Sequence, residues 1–319
     1  MAFRDRQGLR ETARQGLDTA AFDPRKLVLV YGGASALIML LVTGLNFLLS
    51  EQISGTGGLG GLGTRAALET AMQVLQTATN LLLPFWNMGY LYCVLKIVRG
   101  QQFGLKDLLA GFRNFAPVIR LSFLYSLQFL LLAFFCFYPS MLIYMMTPLS
   151  DPLMAVMEPL MTEGAALVLD EAAAAAATVA MIPMFILYGI LFLAVAAPRF
   201  YHYRLAFYAL LDDPQAGARV ALRRSTLMTH RRRLDIFRLD LSFWWFYVLD
   251  VLTLALCYGD TILDMMGISL PISAEASYFL FYVLYLAAQL GLYVWARNGV
   301  ECTYAAGYDA LCREMAETE

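Results

Sequence analysis

Residues 212–254 read DDPQAGARVALRRSTLMTHRRRLDIFRLDLSFWWFYVLDVLTL, and the change of character inside this stretch decides the fold. As far as Arg238 it is polar and rich in arginine; from Leu239 to Tyr258 apolar and aromatic residues dominate and no lysine or arginine occurs. Roughly 20 mostly apolar residues cross a hydrocarbon core of about 30 Å as a helix, a form that pairs its own backbone polar groups in lipid. Outward from this stretch, five more of the same kind follow: Leu27–Leu49, Ala66–Val98, Val118–Met146, Ala172–Ala197 and Ala276–Val300. Apolar residues make up 60% of the 319 residues and charged ones 15%, against about 25% charged in soluble domains. The pattern predicts an all-α fold, a polytopic membrane helix bundle with six transmembrane helices.

The basic residues set the orientation. Nine arginines lie between Arg199 and Arg238; six Lys and Arg precede Leu27, five lie between Lys96 and Arg120, and Arg297 and Arg313 close the chain. The intervening gaps hold Arg65 alone. By the positive-inside rule the basic gaps face the cytoplasm, with both termini. The opposite face carries ten carboxylates, among them Asp151, Glu158, Glu163, Asp170, Asp260 and Asp264. Such a face can concentrate cations, although selection on Lys and Arg alone leaves one behind. The expected organisation is a cytoplasmic basic segment over 1–26, a six-helix domain over 27–300 and a cytoplasmic tail over 301–319. The first span is expected to stay in the mature chain, since it is too long for a signal core and no small-residue cleavage site follows it.

Recognisable chemistry is sparse. Cys93, Cys136, Cys257, Cys302 and Cys312 lack paired metal spacing, and His202 and His230 belong to no zinc motif. The glycine-rich Gly55–Gly63 is followed by Thr64 and Arg65, where a phosphate-cradling loop needs Gly-Lys-Ser/Thr; a flexible linker is the better reading. No nucleophile elbow or dinucleotide fingerprint occurs. These observations predict no catalytic residue, metal or cofactor, and no enzyme activity.

Two cytoplasmic segments are predicted to be interfacial amphipathic helices. Near 104–116, Leu105, Leu108, Leu109, Phe112 and Phe115 share one helical face, directed to lipid or to the bundle. Near 212–233, Pro214 suits a first turn and the inner stripe is Ala218, Ala221, Leu222, Ser225 and Met228. Arg199, His202 and Arg204, with Arg223, Arg224, Arg231, Arg232 and Arg233, are candidate contacts for anionic headgroups or a partner; ordinary topology and interface anchoring are the better explanation of such a cluster. The two segments occupy equivalent places between spans, and IRLSF at 119–123 echoes FRLDLSF at 237–243, a parallel repeat of the kind found in transporters.

Residues 212–254 also resemble the signature of the bacterial integral-membrane family called domain of unknown function nine-seven-five. Asp212, the run Ala221–Ser225 and Leu239–Phe243 supply it, while LRETARQGL at 9–17 and YAAGYDAL at 304–311 are similar to the family's opening and close. The resemblance implies architecture and a bacterial plasma membrane, and carries no catalytic residue with it.

Inside the spans, Asp250 lies 12 residues beyond Arg238, about 18 Å along a straight helix. An ionised carboxylate there costs about 2.5–3.5 kcal/mol and should face the bundle interior. Gln76, Asn80, Gln128 and Gln289 fall at similar depth, predicting a polar midplane layer that serves as a substrate or proton site or as interhelical glue. Three classes of function follow: transport or transport accessory; an organiser that binds partner proteins or anionic lipids on the cytoplasmic side; and, disfavoured, an intramembrane lipid enzyme. Membrane lipids and a membrane-protein partner are expected, and nucleic acid is not.

Overall fold

A computed structural model describes Phe3 and residues 5–55, 61–155, 171–230, 232–268, 270–271 and 273–317. The centre of the glycine-rich stretch, Glu158, Glu163, Asp170 and Arg231 lie outside the described residues. Among the described residues all regular structure is helical, and five helical runs are long and apolar enough to cross a membrane, six if a pair bent by 62° counts as one.

The helices are α1 (Arg6–Asp18), α2 (Pro24–Gly55), α3 (Gly61–Val98), α4 (Ala110–Arg113), α5 (Phe115–Met145), α6 (Glu171–Tyr203), α7 (Ala206–Asp212), α8 (Gly217–Thr229), α9 (Arg233–Leu241), α10 (Trp244–Cys257), α11 (Gly259–Met265), α12 (Ala274–Leu292) and α13 (Asn298–Ala316). A 3₁₀ turn at Leu105–Leu109 precedes α4, and a π-helical turn at Tyr293–Arg297 links α12 to α13. Helix therefore continues from α12 through residues 301–316.

Two compact units make up the chain. In the larger, residues 1–121 and 205–319, α1 packs on α13 and α3 through Leu9, Ala13 and Gly16. Cys302, Ala305 and Tyr308 of α13 are fully buried. α10 and α2 both pack on α12. The inner stripe of α8 is buried as its periodicity predicts: Ala218, Ala221, Leu222, Ser225 and Met228.

Residues 104–115 form a 3₁₀ turn and one α-helical turn where one continuous helix was expected. Close approach to α3 accounts for this. A Cβ on Gly89 would stand 1.7 Å from the Leu108 carbonyl oxygen, and one on Gly111 1.9 Å from that of Phe85. Two glycines thus let backbone meet backbone. Leu108 is buried, Phe85 stacks on Phe112 and Phe115 at 5.7 and 4.6 Å, and Leu105, Leu109, Phe112 and Phe115 stay exposed. Asp107 accepts from the Gly104 N–H at 3.0 Å and pairs with Lys96 at 3.0 Å.

The smaller unit, 122–204, holds most of α5 and all of α6. Its core is Leu132, Cys136 and Ala196, flanked by Phe129, Tyr188, Leu191 and Phe192. The Tyr144 hydroxyl donates to the Ala180 carbonyl at 2.7 Å.

Candidate functional site

Helix α9 ends where its final turn tightens: the Phe243 N–H donates to the Asp240 carbonyl at 2.8 Å, and the Ser242 hydroxyl donates to the Leu239 carbonyl. The chain then turns through 62° into α10. A break frees backbone acceptors, which need partners when buried. Arg10 of α1 donates to the Ser242 carbonyl at 2.9 Å and lies 4.7 Å over the Phe243 ring. The Tyr247 hydroxyl reaches the Tyr304 hydroxyl of α13 at 3.2 Å. Leu-Asp-Leu-Ser-Phe at 239–243 is therefore a pinned helix break.

The rest of this end is tied by charge. Arg99, just beyond α3, bridges Asp212 and Asp309 at 2.7 Å each. Hydrogen bonds to Asp309 and Asp212 raise the pKa of its guanidinium above its already high value. Tyr308 donates to the other Asp212 oxygen at 2.7 Å. Arg232 meets Glu314 at 2.8 Å, and Glu314 also accepts from the Phe3 N–H at 3.0 Å. Segments near residues 9–17, 212–243 and 304–311, far apart in sequence, meet here through α1, α7 to α9 and α13.

A family model described as Protein of unknown function (DUF975) matches residues 3–289. The chain belongs to that family. Neither a curated protein nor a solved structure matches it. Segments 9–17 and 212–243, within the matched range, and 304–311, beyond it, thus cap a break, bridge helices or fill a core in this chain.

Of the midplane candidates, the structure brings Asp250 and Gln289 together. Gln289 Nε2 of α12 donates to Asp250 Oδ1 of α10 at 2.6 Å. The Thr253 hydroxyl shares its one proton between Gln289 Oε1 and the Asp250 carbonyl. The bend revises the depth of Asp250: it lies six residues into α10, whose axis starts at Trp244, about 9 Å along that helix. Gln76 and Asn80 are exposed on α3. Gln128 belongs to the smaller unit, and its Oε1 is buried without a hydrogen-bond partner among the described residues.

The headgroup candidates divide as well. Arg199, His202 and Arg204 belong to the smaller unit, where Arg204 lies 5.5 Å over Phe200. Arg232 is drawn into the protein by Glu314, and the Nε of Arg233 is buried. Arg223 and Arg224 line a groove between α8 and α13.

One cluster escaped sequence reasoning. The π-helical turn directs Arg297 among three tyrosine rings, 4.4 Å from Tyr293, 4.9 Å from Tyr31 and 5.2 Å from Tyr90. Its Nη2 donates to Asn87 Oδ1 at 3.1 Å. Next to it, Asn298 accepts from the Tyr90 hydroxyl at 2.9 Å and donates to the Pro24 carbonyl at 2.6 Å. π-Helical turns are frequent at functional sites, and cation–π contacts contribute about 0.5–2 kcal/mol each. The available signal was an arginine inside the sixth apolar run, which charge counting had used as a topology marker.

Proposed function

We propose that this DUF975 member is a six-span protein of the bacterial plasma membrane, with both termini cytoplasmic and the bent α9–α10 pair forming one span. Segment 105–113 and α8 lie along its inner face. Its role is non-enzymatic: it moves a proton or small cation, or assists a transporter that does. The observation that carries this reading is the Asp250 carboxylate, mid-way along α10, held by Gln289 and, among the described residues, in no ion pair. An acid in a span is costly to insert and is retained by default for function. A broken helix beside it is the device by which transporters build sites within the membrane.

The test is proton flux into vesicles containing the protein and any subunit that purifies with it, driven by a potassium diffusion potential and read by a pH-sensitive dye. Flux above protein-free vesicles is expected, reduced at least about tenfold in Asp250→Asn, because Asn retains the bond from Gln289 while losing the titrating group. Equal flux in both proteins, or none from the native one, sinks the reading.

A second reading, a membrane organiser that holds partner proteins or anionic lipids through its arginine-rich helices, draws on the outer face of α8. There Arg219, Val220, Arg223 and Leu227 are all exposed.

A further inference from the structure

Three arginines at the α1/α13 end are committed internally: Arg99 and Arg232 to carboxylates and Arg10 to a backbone carbonyl. Arg223 and Arg224 differ. Arg224 donates to the Cys312 sulfur at 3.9 Å and its charge reaches Asp212, but neither arginine is in an ion pair among the described residues. Both line a groove of about 370 Å³, with Val220 and Leu227 of α8 and Cys312 and Met315 of α13; no carboxylate is part of its wall. Val220 and Leu227 are 51% and 61% exposed. On the following helix, α9, Leu234, Phe237 and Leu241 are exposed on one face beside Arg238.

Large exposed apolar side chains interleaved with arginine suit a surface that is half headgroup and half acyl chain. A soluble anion would match the two guanidinium groups but leave Val220 and Leu227 in water. An extended acidic protein segment would spend the two guanidinium groups on its carboxylates, and the rest of the lining, Val, Leu, Met, Cys and Ala side chains, offers its backbone no strong donor.

We infer that the groove between α8 and α13 binds an anionic phospholipid of the adjacent leaflet, its phosphate on Arg223 and Arg224 and its glycerol and upper acyl carbons against Val220 and Leu227. This gives the organiser reading a ligand class and rests on that reading alone. Asp250 is not involved, so flux and lipid retention fail separately.

The full-length protein in mild detergent is offered equal amounts of phosphatidylglycerol and phosphatidylcholine of matched chains, and the retained lipids are read by native mass spectrometry. Native protein should prefer phosphatidylglycerol, and Arg223→Gln with Arg224→Gln should reduce that preference on the order of twentyfold, at about fivefold per arginine. The melting temperature should hold, and Arg223→Lys with Arg224→Lys should keep most of the preference. If the double variant fails to fold, Arg223→Gln alone supplies the test. An unchanged preference in the glutamine variants overturns the proposal, as does no preference in the native protein. Displacement of the lipid by millimolar inorganic phosphate would reassign the groove to free phosphate and overturn the lipid site. A partner protein that survives removal of all bound phosphatidylglycerol would leave the organiser reading standing without this ligand.

Discussion

The α1/α13 end of the larger unit and the α5/α6 pair of the smaller unit solve the same problem differently. In the first, side chains from positions far apart in sequence meet in directed bonds: Arg99 with Asp212 and Asp309, Arg232 with Glu314, Tyr90 with Asn298. In the second, α5 and α6 meet through a small core of Leu132, Cys136 and Ala196 and a bond from Tyr144 to Ala180. Lipid tails are as apolar as leucine, so burial alone gives helices in a membrane little reason to choose one partner. Polar bonds and close glycine contacts supply that choice in the larger unit.

Substitutions test this contrast, from the largest expected effect to the smallest. Gly111→Ala forces a methyl to within 1.9 Å of the Phe85 carbonyl oxygen, and nothing can yield but backbone. A loss of about 3 kcal/mol is expected in denaturation by sodium dodecyl sulfate, the upper range for overpacking. Gly189→Ala, in α6, meets nothing within 4 Å and should be neutral or slightly stabilising, because Ala favours helix by up to about 1 kcal/mol; equal losses at both sites would erase the distinction.

Arg297→Ala comes next. It leaves Asn87 and three tyrosine rings without their cation, and about 2–3 kcal/mol should be lost from ring contacts and a charged hydrogen bond. Arg297→Lys should recover only part of that, since an ammonium cannot reproduce the planar fork. Full recovery in thermal melts would reduce the cluster to a point charge. Arg99→Ala leaves Asp212 and Asp309 facing each other half-exposed. A cost of about 1–2 kcal/mol that shrinks in high salt is expected; one indifferent to salt would show that packing holds this corner. Tyr144→Phe removes one bond in the smaller unit and should cost about 0.5–1.5 kcal/mol. A loss exceeding that of Arg297→Ala would invert the comparison.

Much of the helical framework was legible in the sequence, because apolar run length and the 3.6-residue period act locally. The buried stripe of α8 follows from spacing alone. The bend at Ser242 and Phe243 was not legible: Leu239–Tyr258 is one apolar run by composition, and the break rests on the Ser242 hydroxyl and on Arg10, 232 residues distant. Residues 104–115 carried helical spacing, yet the approach permitted by Gly89 and Gly111 replaced a continuous helix with two short turns. At the candidate sites, the pairing of Asp250 with Gln289 lay among the residues that depth alone brought forward. Depth could not separate these from Gln76 and Asn80, which are exposed, because it gives no angular position around a helix. Charge counting makes Arg99 and Arg297 markers of sidedness and Arg232 a headgroup or partner candidate as well, whereas their long-range partners lie 82 to 266 residues away.

If the family's pattern encodes a packed end, the opening helix must sit on the break in α9–α10 in the living membrane. Arg10→Cys and Ser242→Cys, introduced together, should be joined by a short bis-maleimide, each thiol adding to one maleimide, in native membranes, with the linked peptides identified by mass spectrometry. Each single variant should give no such link. Absence of the link in the double variant, with both thiols shown to be reactive, would contradict the convergence of these segments.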